Sequence, residues 1–186
     1  MPHQDRQLAQ QKARYHLQMD PLFLDTETTG LDTWAEIVEI CILKKDGTVL
    51  LDTLVKPNRS IPAETIKIHH ITNEMVASAP SWVDVWPQVQ TFLSGRQIGI
   101  YNADFDMRMF EQTNRANGVR WNPQEYKPFC IMKLYAQFRG TSHWRTLADA
   151  GRQCEVALPN THRAQADTRL ALAIFACITG MNPLDW

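Results

Sequence analysis

The fold is decided by one stretch of the sequence, Leu22-Phe23-Leu24-Asp25-Thr26-Glu27-Thr28-Thr29-Gly30. Its leading apolar residues predict a buried strand, and a buried strand does not ordinarily end in two carboxylates. Side chains alternate faces along a strand, so Asp25 and Glu27 project from the same face, about 7 Å apart. Anions held this close repel each other unless a cation lies between them, and their oxygens suit Mg²⁺ or Mn²⁺. The alternative is an ordinary strand end with solvated acids.

The composition is that of a soluble globular protein with one domain. The 186 residues, 44% hydrophobic and 21% charged, are enough for a substantial core. A formal net charge of -1 gives no overall basic field for nucleic acid or a membrane, although a local basic groove remains compatible with it. The first twenty residues lack the apolar region of a secretory signal, and the apolar run at 170–178 is too short to span a bilayer.

The cysteines are far apart in the sequence and never form a CxxC pair, which argues against a zinc site. We expect them to be reduced and mostly buried, as in a cytoplasmic protein. They are Cys41, Cys130, Cys154 and Cys177.

The order of the predicted elements indicates an α/β fold with a mixed sheet. Residues 1–20 are predicted to form an N-terminal arm, helical or loose, without a clear apolar stripe, and residues 21–186 the main domain. Three antiparallel strands come first, and helices then alternate with two further strands. The predicted strands are 22–26, 37–43, 48–55, 97–101 and 129–131. The predicted helices are 62–68, 72–77 with Thr72 as N-cap, 82–93 interrupted or started late by Pro87, one from about 103 to about 117, one reaching 138, 146–154, and 164–179.

Two further acids, Asp106 and Asp167, lie at the starts of predicted helices, where they could approach Asp25 and Glu27. Asp106 and Asp167 each lie in the first turn of a predicted helix, where an acid alone is explained by the helix dipole. If all four converge in one cleft, the cluster has no stable explanation without a divalent metal. His162 faces that cleft only if it lies on the loop entering the last helix, and there it could take a proton from water. Its alternative is a surface loop histidine.

Several stretches resemble the motifs of a known family, the DEDD exonucleases, in the correct order and spacing from about residue 21 to 178. Within the histidine-bearing DEDDh branch, the resemblance is closest to polymerase proofreading subunits and to small stand-alone exonucleases. The stretches are Asp25-Thr26-Glu27-Thr28-Thr29-Gly30-Leu31, Tyr101-Asn102-Ala103-Asp104-Phe105-Asp106 and His162-Arg163-Ala164-Gln165-Ala166-Asp167, with connecting segments at 68–75 and 130–134.

The chain departs from the family pattern at two positions. Tyr101 stands where the second motif usually begins with His, and His70 stands where the segment after His69 usually has Gly. Neither change touches a presumed metal ligand, so they bear on substrate contacts and leave the reaction class as it is.

The resemblance implies a ribonuclease H-like fold, with three antiparallel strands followed by parallel strands, flanked by helices. It implies a metal-dependent 3′→5′ exonuclease that hydrolyses nucleic acid, DNA first, to nucleoside 5′-monophosphates with two Mg²⁺, for which Mn²⁺ can substitute. Asp25 would lie between the ions, Glu27 and Asp167 would complete one ion's shell, and Asp106 would hold the other. His162 would be the general base. The implied partners are nucleic acid with a 3′ end, single-stranded DNA above all, and a DNA polymerase or other replication protein; no membrane is implied.

The resemblance also assigns substrate contacts. The turn Thr28, Thr29 and Gly30 would hold the terminal 3′-OH through N–H groups and hydroxyls, and Leu31 would pack on the last base. The remaining implied contacts are Phe105 beside a base, Asn102 on the sugar-phosphate backbone and His69 near the phosphate. The alternatives are core packing for Leu31 and Phe105, helix capping for Asn102 and a solvent-facing loop position for His69. Core packing is the expectation for Trp82, Trp86, Trp121 and Trp144.

Two rival functions stay open from the sequence. One is a non-catalytic module that binds 3′ ends, and the second is an exoribonuclease or oligoribonuclease, since no residue announces a partner for the 2′-OH. Chemistry on nucleoside triphosphates is disfavoured, because no P-loop pattern is present.

Overall fold

A computed structural model describes residues 2–181 and shows a five-stranded mixed sheet flanked by helices. The strands are β1 (Leu22–Thr28), β2 (Ile37–Lys44), β3 (Val49–Leu54), β4 (Gln97–Ile100) and β5 (Lys127–Cys130). Their order in the sheet is β3-β2-β1-β4-β5. The β1–β2 and β2–β3 pairs are antiparallel, whereas β4 pairs parallel with β1 and with β5. The mixed sheet agrees with the predicted order of elements, and the arrangement is the ribonuclease H-like one that the resemblance implies.

The helices follow the predicted order with small shifts of their ends. They are α1 (Pro2–Gln18), α2 (Ala63–His69), α3 (Asn73–Val76), α4 (Trp82–Leu93), α5 (Ala103–Ala116), α6 (Ile131–Phe138), α7 (Leu147–Gln153) and α8 (Ala164–Thr179). Thr72 caps α3 as expected, since its hydroxyl accepts from the Met75 N–H at 3.3 Å. Helix α8 has the predicted bounds and ends at Gly180, whose φ of 66° suits glycine. No helix within residues 2–181 is long and apolar enough to cross a membrane.

Alternation along β1 separates two cores on opposite faces of the sheet. Phe23 faces α8, where its ring centroid lies 5.2 Å from that of Phe175. Leu24 belongs to the other core, with Trp86 of α4 and Phe110 of α5. The odd-numbered side chains of β1 therefore point toward α8 and the even-numbered ones toward α5, which decides where the polar residues at the end of the strand are placed.

Residues 2–18 form a helix, not a loose arm. Ala9, Ala13 and Leu17, spaced four residues apart, are buried against α6 and α8. The Arg14 Nε donates to the carbonyl of Thr179 at 3.0 Å and so caps the end of α8. This apolar stripe is not apparent in the sequence because two of its three members are alanines. Residue 1 lies outside the described residues.

The predicted interruption of α4 at Pro87 is wrong. The helix runs unbroken from 82 to 93, opened by a capping box between Ser81 and Asp84. Pro87 is exposed, so water can satisfy the carbonyl that loses its N–H partner. The buried face of α4, anchored by Trp82 and Trp86, compensates for that missing bond.

The expectation of core packing is met by some tryptophans and not by others. Trp82 and Trp86 are buried, and Trp121 is half-buried and stacks on Tyr126 with ring centroids 4.8 Å apart. Trp144 is 63% exposed, so core packing is wrong for it. Trp34, which the sequence analysis did not consider, is 65% exposed.

Candidate active site

Three carboxylates meet at the end of β1, on the face toward α8. Asp25 and Glu27 continue the face of Phe23, and Asp167 lies in the first turn of α8, which packs on that face. One carboxylate oxygen from each of the three lies within 4.8 Å of those of the other two. The spacing along β1 predicts the first two members, and the packing of α8 brings in the third.

Asp106 approaches the same strand from the opposite face. It lies in the first turn of α5 and is buried, and its Oδ1 accepts from the Thr26 hydroxyl at 2.8 Å. Thr26 can reach it because the side chain between two acids on a strand points to the other face. Among the charges that act on Asp25, that of Asp106 is the strongest. The four predicted acids therefore converge around the end of β1.

The electrostatics of this cluster are unfavourable for a protein without bound cations. Burial, followed by the charges of Asp106 and Glu27, raises the pKa of Asp25 well above its usual range. Burial and the nearby Asp167 raise the pKa of Glu27 to about 8. Burial also raises the pKa of Asp106 and of Asp167. An all-oxygen set of anions that resist ionisation together fits a hard divalent cation.

A fifth carboxylate beside the cluster is neutralised by the protein itself. Glu39 of β2 is paired directly with Glu27 of β1 and is buried. The Arg163 Nε lies 3.1 Å from both of its oxygens, and the Ala164 N–H donates to Oε2 at 2.8 Å. Because these bonds anchor the first residues of α8 to the sheet, they position Asp167. Glu39 and Arg163 are not among the predicted site residues, although a glutamate inside the apolar run of β2 signals a buried partner.

The loop before α8 orients the third acid. Asn160 Nδ2 donates to Asp167 Oδ2 at 2.9 Å, and the Thr161 N–H donates to Oδ1 at 3.2 Å. His162 follows on this loop, exposed and with φ of 50°, and its charge lowers the pKa of Asp167. The histidine is thus on the loop entering the helix, which is the position that the general-base hypothesis requires.

The turn after β1 uses its polar groups to hold its own shape. The Thr28 hydroxyl donates to the Gly30 carbonyl at 2.7 Å. The Thr29 N–H donates to the Glu36 carbonyl at 2.8 Å, and its hydroxyl accepts from the Glu36 N–H at 3.0 Å. Leu31 lies beyond this turn and is 79% exposed, so the alternative of core packing is excluded for it.

His69 is buried beside the turn and is not the solvent-facing residue of the alternative hypothesis. Its Nδ1 accepts from the Ile71 N–H at 3.0 Å, so the ring proton is on Nε2, which donates to the Thr28 carbonyl at 3.2 Å. The next residue, His70, has φ of 60°. That left-handed conformation favours glycine, which explains physically why a Gly is usual at this position of the resembled motif.

The stretch from Tyr101 to Asp106 contains two side chains at or near the surface, Asn102 and Phe105, and the buried Tyr101. Asn102 is exposed at the N-cap position of α5, and its side chain makes no capping hydrogen bond. Phe105 is half-buried, with the Arg108 guanidinium 5.4 Å from its ring centroid. Tyr101 is buried, and its hydroxyl donates to the carbonyl of Arg145 at 2.9 Å. This bond attaches the loop before α7 to the end of β4.

Comparison with known proteins gives consistent results. A sequence model of a family described as exonuclease matches residues 22–175. A protein named uncharacterized exonuclease CP81, from Escherichia phage 186, is 42% identical over 175 residues, covering 88% of this chain and 90% of that protein. DNA polymerase III subunit epsilon of Treponema pallidum (strain Nichols) is 28% identical over 160 residues, covering 81% and 72%. Among solved structures, exonuclease X in complex with 5′ overhanging duplex DNA has a TM-score of 0.67 and 27% identity, covering 86% of this chain and 91% of that one.

Proposed function

The chain belongs to the exonuclease family, and from that premise we propose that it is a metal-dependent 3′→5′ exonuclease acting on DNA. Its products would be nucleoside 5′-monophosphates. The observation that carries the proposal is the meeting of four acids from three elements around the end of β1. Buried anions of this kind destabilise a fold, so their presence is explained by a ligand that they bind.

We assign the acids to two divalent cations. Asp25, Glu27 and Asp167 would hold one, and Asp25 with Asp106 would hold the other. We expect two Mg²⁺, with Mn²⁺ able to substitute because both prefer oxygen ligands. Bound in this way, the cations would supply charge stabilisation at phosphorus and a more acidic water. Thr26 fixes the Asp106 carboxylate, and Asn160 fixes that of Asp167, so both acids are oriented before substrate arrives.

His162 is proposed as the general base that takes the proton of the attacking water. It is exposed to solvent, and its neighbour Arg163 is bound to Glu39, which fixes the loop on one side. Asn160 and Thr161 fix the loop on the other side through Asp167. A histidine held at such a loop can exchange its proton with bulk water after each turnover.

The turn after β1 is proposed as the site of the terminal nucleotide. Thr28, Thr29 and Gly30 would shape the site of the 3′-OH, since their own hydrogen bonds and the His69 bond to Thr28 make the turn rigid. The exposed Leu31 would lie against the last base. Asn102 and Phe105, at the start of α5, would contact the sugar-phosphate backbone and a neighbouring base.

The named relatives support DNA as the substrate and a polymerase as a candidate partner. Exonuclease X is described with duplex DNA bearing a 5′ overhang, and the Treponema relative is a subunit of a DNA polymerase. We extend both to this chain as proposals: a DNA strand with a 3′ end as substrate, and association with a polymerase or another replication protein. The free cysteines are compatible with action in the cytoplasm.

The test is digestion of matched substrates with Mg²⁺ and with a chelator. Single-stranded DNA, duplex DNA with a mispaired 3′ end and a short RNA would be labelled at the 5′ end and separated on a sequencing gel. We expect a ladder that shortens from the 3′ end on DNA in Mg²⁺ only. Binding without shortening would indicate the non-catalytic module, and preferential loss of the RNA would indicate an exoribonuclease.

A further inference from the structure

A concave pocket lies beside the loop that follows the acidic strand. It has a volume of about 350 Å³ and is lined by Trp34 of that loop, Arg59 of the loop after β3, and Gln112 and Arg115 of α5. Gln112 comes six residues after Asp106 on the same helix, which places it about 9 Å along the axis from the acidic cluster. The pocket therefore lies close to the acidic cluster but does not include any of its residues.

The side chains at the mouth of the pocket are aromatic and cationic. Trp34 is 65% exposed, and the Arg59 guanidinium lies 5.2 Å from its ring centroid. Arg115 is exposed and donates through Nη2 to the Thr33 carbonyl at 3.2 Å, which holds the guanidinium at the rim. An indole face with two guanidinium groups is a suitable surface for a base and its phosphate.

The floor of the pocket carries polar groups with different degrees of hydrogen bonding. Glu36 is buried, but its oxygens already accept from Asn58 and Asn117. Gln112 is only 6% exposed, and its Oε1 has no hydrogen-bond partner among residues 2–181. A buried amide oxygen without a partner is unfavourable in a fold, and most are satisfied by protein, water or ligand. Gln112 therefore lines the pocket with an amide whose oxygen is left without a hydrogen bond by the described residues.

We propose that this pocket binds one nucleotide of the substrate strand, a few positions on the 5′ side of the terminal nucleotide. Its base would stack on Trp34, its phosphate would meet Arg59 and Arg115, and the edge of the base would pair with the amide of Gln112. A volume of about 350 Å³ is enough for a single nucleotide. The separation of about 9 Å corresponds to roughly three stacked nucleotides. This inference rests on the proposed exonuclease function and assigns it a second contact with the strand.

The experiment compares two substrates on the full chain in Mg²⁺. The 4-nitrophenyl ester of thymidine 5′-monophosphate occupies the acidic cluster alone, whereas a 20-nucleotide DNA strand reaches the pocket. Trp34→Ala and Arg115→Ala are expected to raise KM for the strand about tenfold, the loss of one stacked or paired contact, while hydrolysis of the ester is unchanged. Trp34→Phe, which keeps an aromatic face, is expected to restore most of the affinity.

Trp144→Ala is the matched control, because Trp144 is an equally exposed tryptophan outside the pocket (63%). It is expected to change neither substrate's kinetics. The inference is overturned if Trp34→Ala leaves KM for the strand at the wild-type value, or if it impairs both substrates equally. Free dAMP binding to the pocket more tightly than a strand would likewise overturn the assignment to the strand. Failure of the wild-type protein to hydrolyse either substrate would count against the exonuclease function itself.

Discussion

Glu27 and Glu39 lie directly opposite each other on neighbouring strands, and within residues 2–181 only Glu39 forms an ion pair with a cationic side chain. Both face α8, and both are removed from bulk water to a large degree. Arg163 and the first N–H of α8 satisfy Glu39, whereas Glu27 faces Asp25 and Asp167 and has a pKa raised to about 8. The difference teaches that a buried carboxylate paired with a cationic side chain belongs to the scaffold, and one without such an ion pair belongs to a site for an external cation.

The two neighbours on the loop before α8 follow the same division. Arg163 binds Glu39 and fixes the helix to the sheet, and His162 remains exposed beside Asp167. Arg163 thus stabilises the fold, and the adjacent His162 is available for the proposed chemistry. Substitutions of residues with each of these two roles test the distinction.

The largest effect is expected from Asp25→Asn and Glu27→Gln. Each should lower the Mg²⁺-dependent cleavage rate of a 3′-ended strand by about 10³-fold or more, because charge stabilisation in the transition state is lost. Without metal, each variant should melt at a higher temperature than the wild type, because one repelling anion is gone. Gel-based cleavage assays and thermal denaturation measure the two quantities. Wild-type cleavage by Asp25→Asn would remove Asp25 from the site.

A smaller loss of rate is expected from His162→Asn. Asparagine is the better substitution, because it tolerates the φ of 50° at this position and alanine does not. Turnover should fall by about 10²–10⁴-fold through loss of the general base, while Mn²⁺ affinity measured by calorimetry stays the same. Turnover equal to the wild type near neutral pH would contradict the role of His162.

Glu39→Gln should act on stability first. Arg163 would lose its charged acceptor, and we expect the free energy of unfolding to fall by about 1–3 kcal/mol. Glu27→Gln is the matched control, since the same substitution on the opposite strand should raise stability in a chelator. Chemical denaturation of both variants gives the comparison. If both substitutions shift stability in the same direction, the division between the two glutamates is incorrect.

The last expected effect is a dependence of metal-free stability on pH. The pKa of Glu27 rises from an ordinary 4.5 to about 8 on folding, so the folded chain binds protons more tightly than the unfolded chain. Stability is then greatest below about pH 4.5 and declines as pH rises toward 8. Thermal melts in a chelator across this range should show the decline, and saturating Mn²⁺ should reverse it. A melting temperature that rises over the same interval would refute the electrostatic account.

Local sequence patterns predict most of the strands and helices, because the pattern within each segment agrees with the structure that the segment adopts. The acid spacing in β1 follows from strand geometry alone, and the bounds of α8 follow from its apolar pattern and Gly180. The convergence of Asp106 and Asp167 on β1 depends on packing between distant elements. Only the resemblance to family motifs indicated it in advance.

The remaining features depend on long-range contacts that no window of sequence contains. Arg163, the partner of Glu39, is 124 residues away in the sequence. The apolar stripe of α1 consists mainly of alanines, and the tertiary structure is needed to show that they are buried. The pocket at Trp34 combines residues from the loop after β1, the loop after β3 and α5. The predicted interruption of α4 at Pro87 is wrong because the free-energy cost of the missing hydrogen bond depends on solvent exposure, which the sequence does not show.

The packing of α1 affects how the protein loses activity during prolonged heating. Arg14 binds the C-terminal end of α8, the helix whose first turn carries Asp167, so the N-terminal helix stabilises α8 at the end opposite to that acid. Its buried face is made largely of alanine, which contributes little hydrophobic stabilisation per residue. Fraying or proteolytic nicking of this segment would loosen α8 while the sheet is still intact. Enzymatic half-life would then be shorter than the melting of the whole domain indicates.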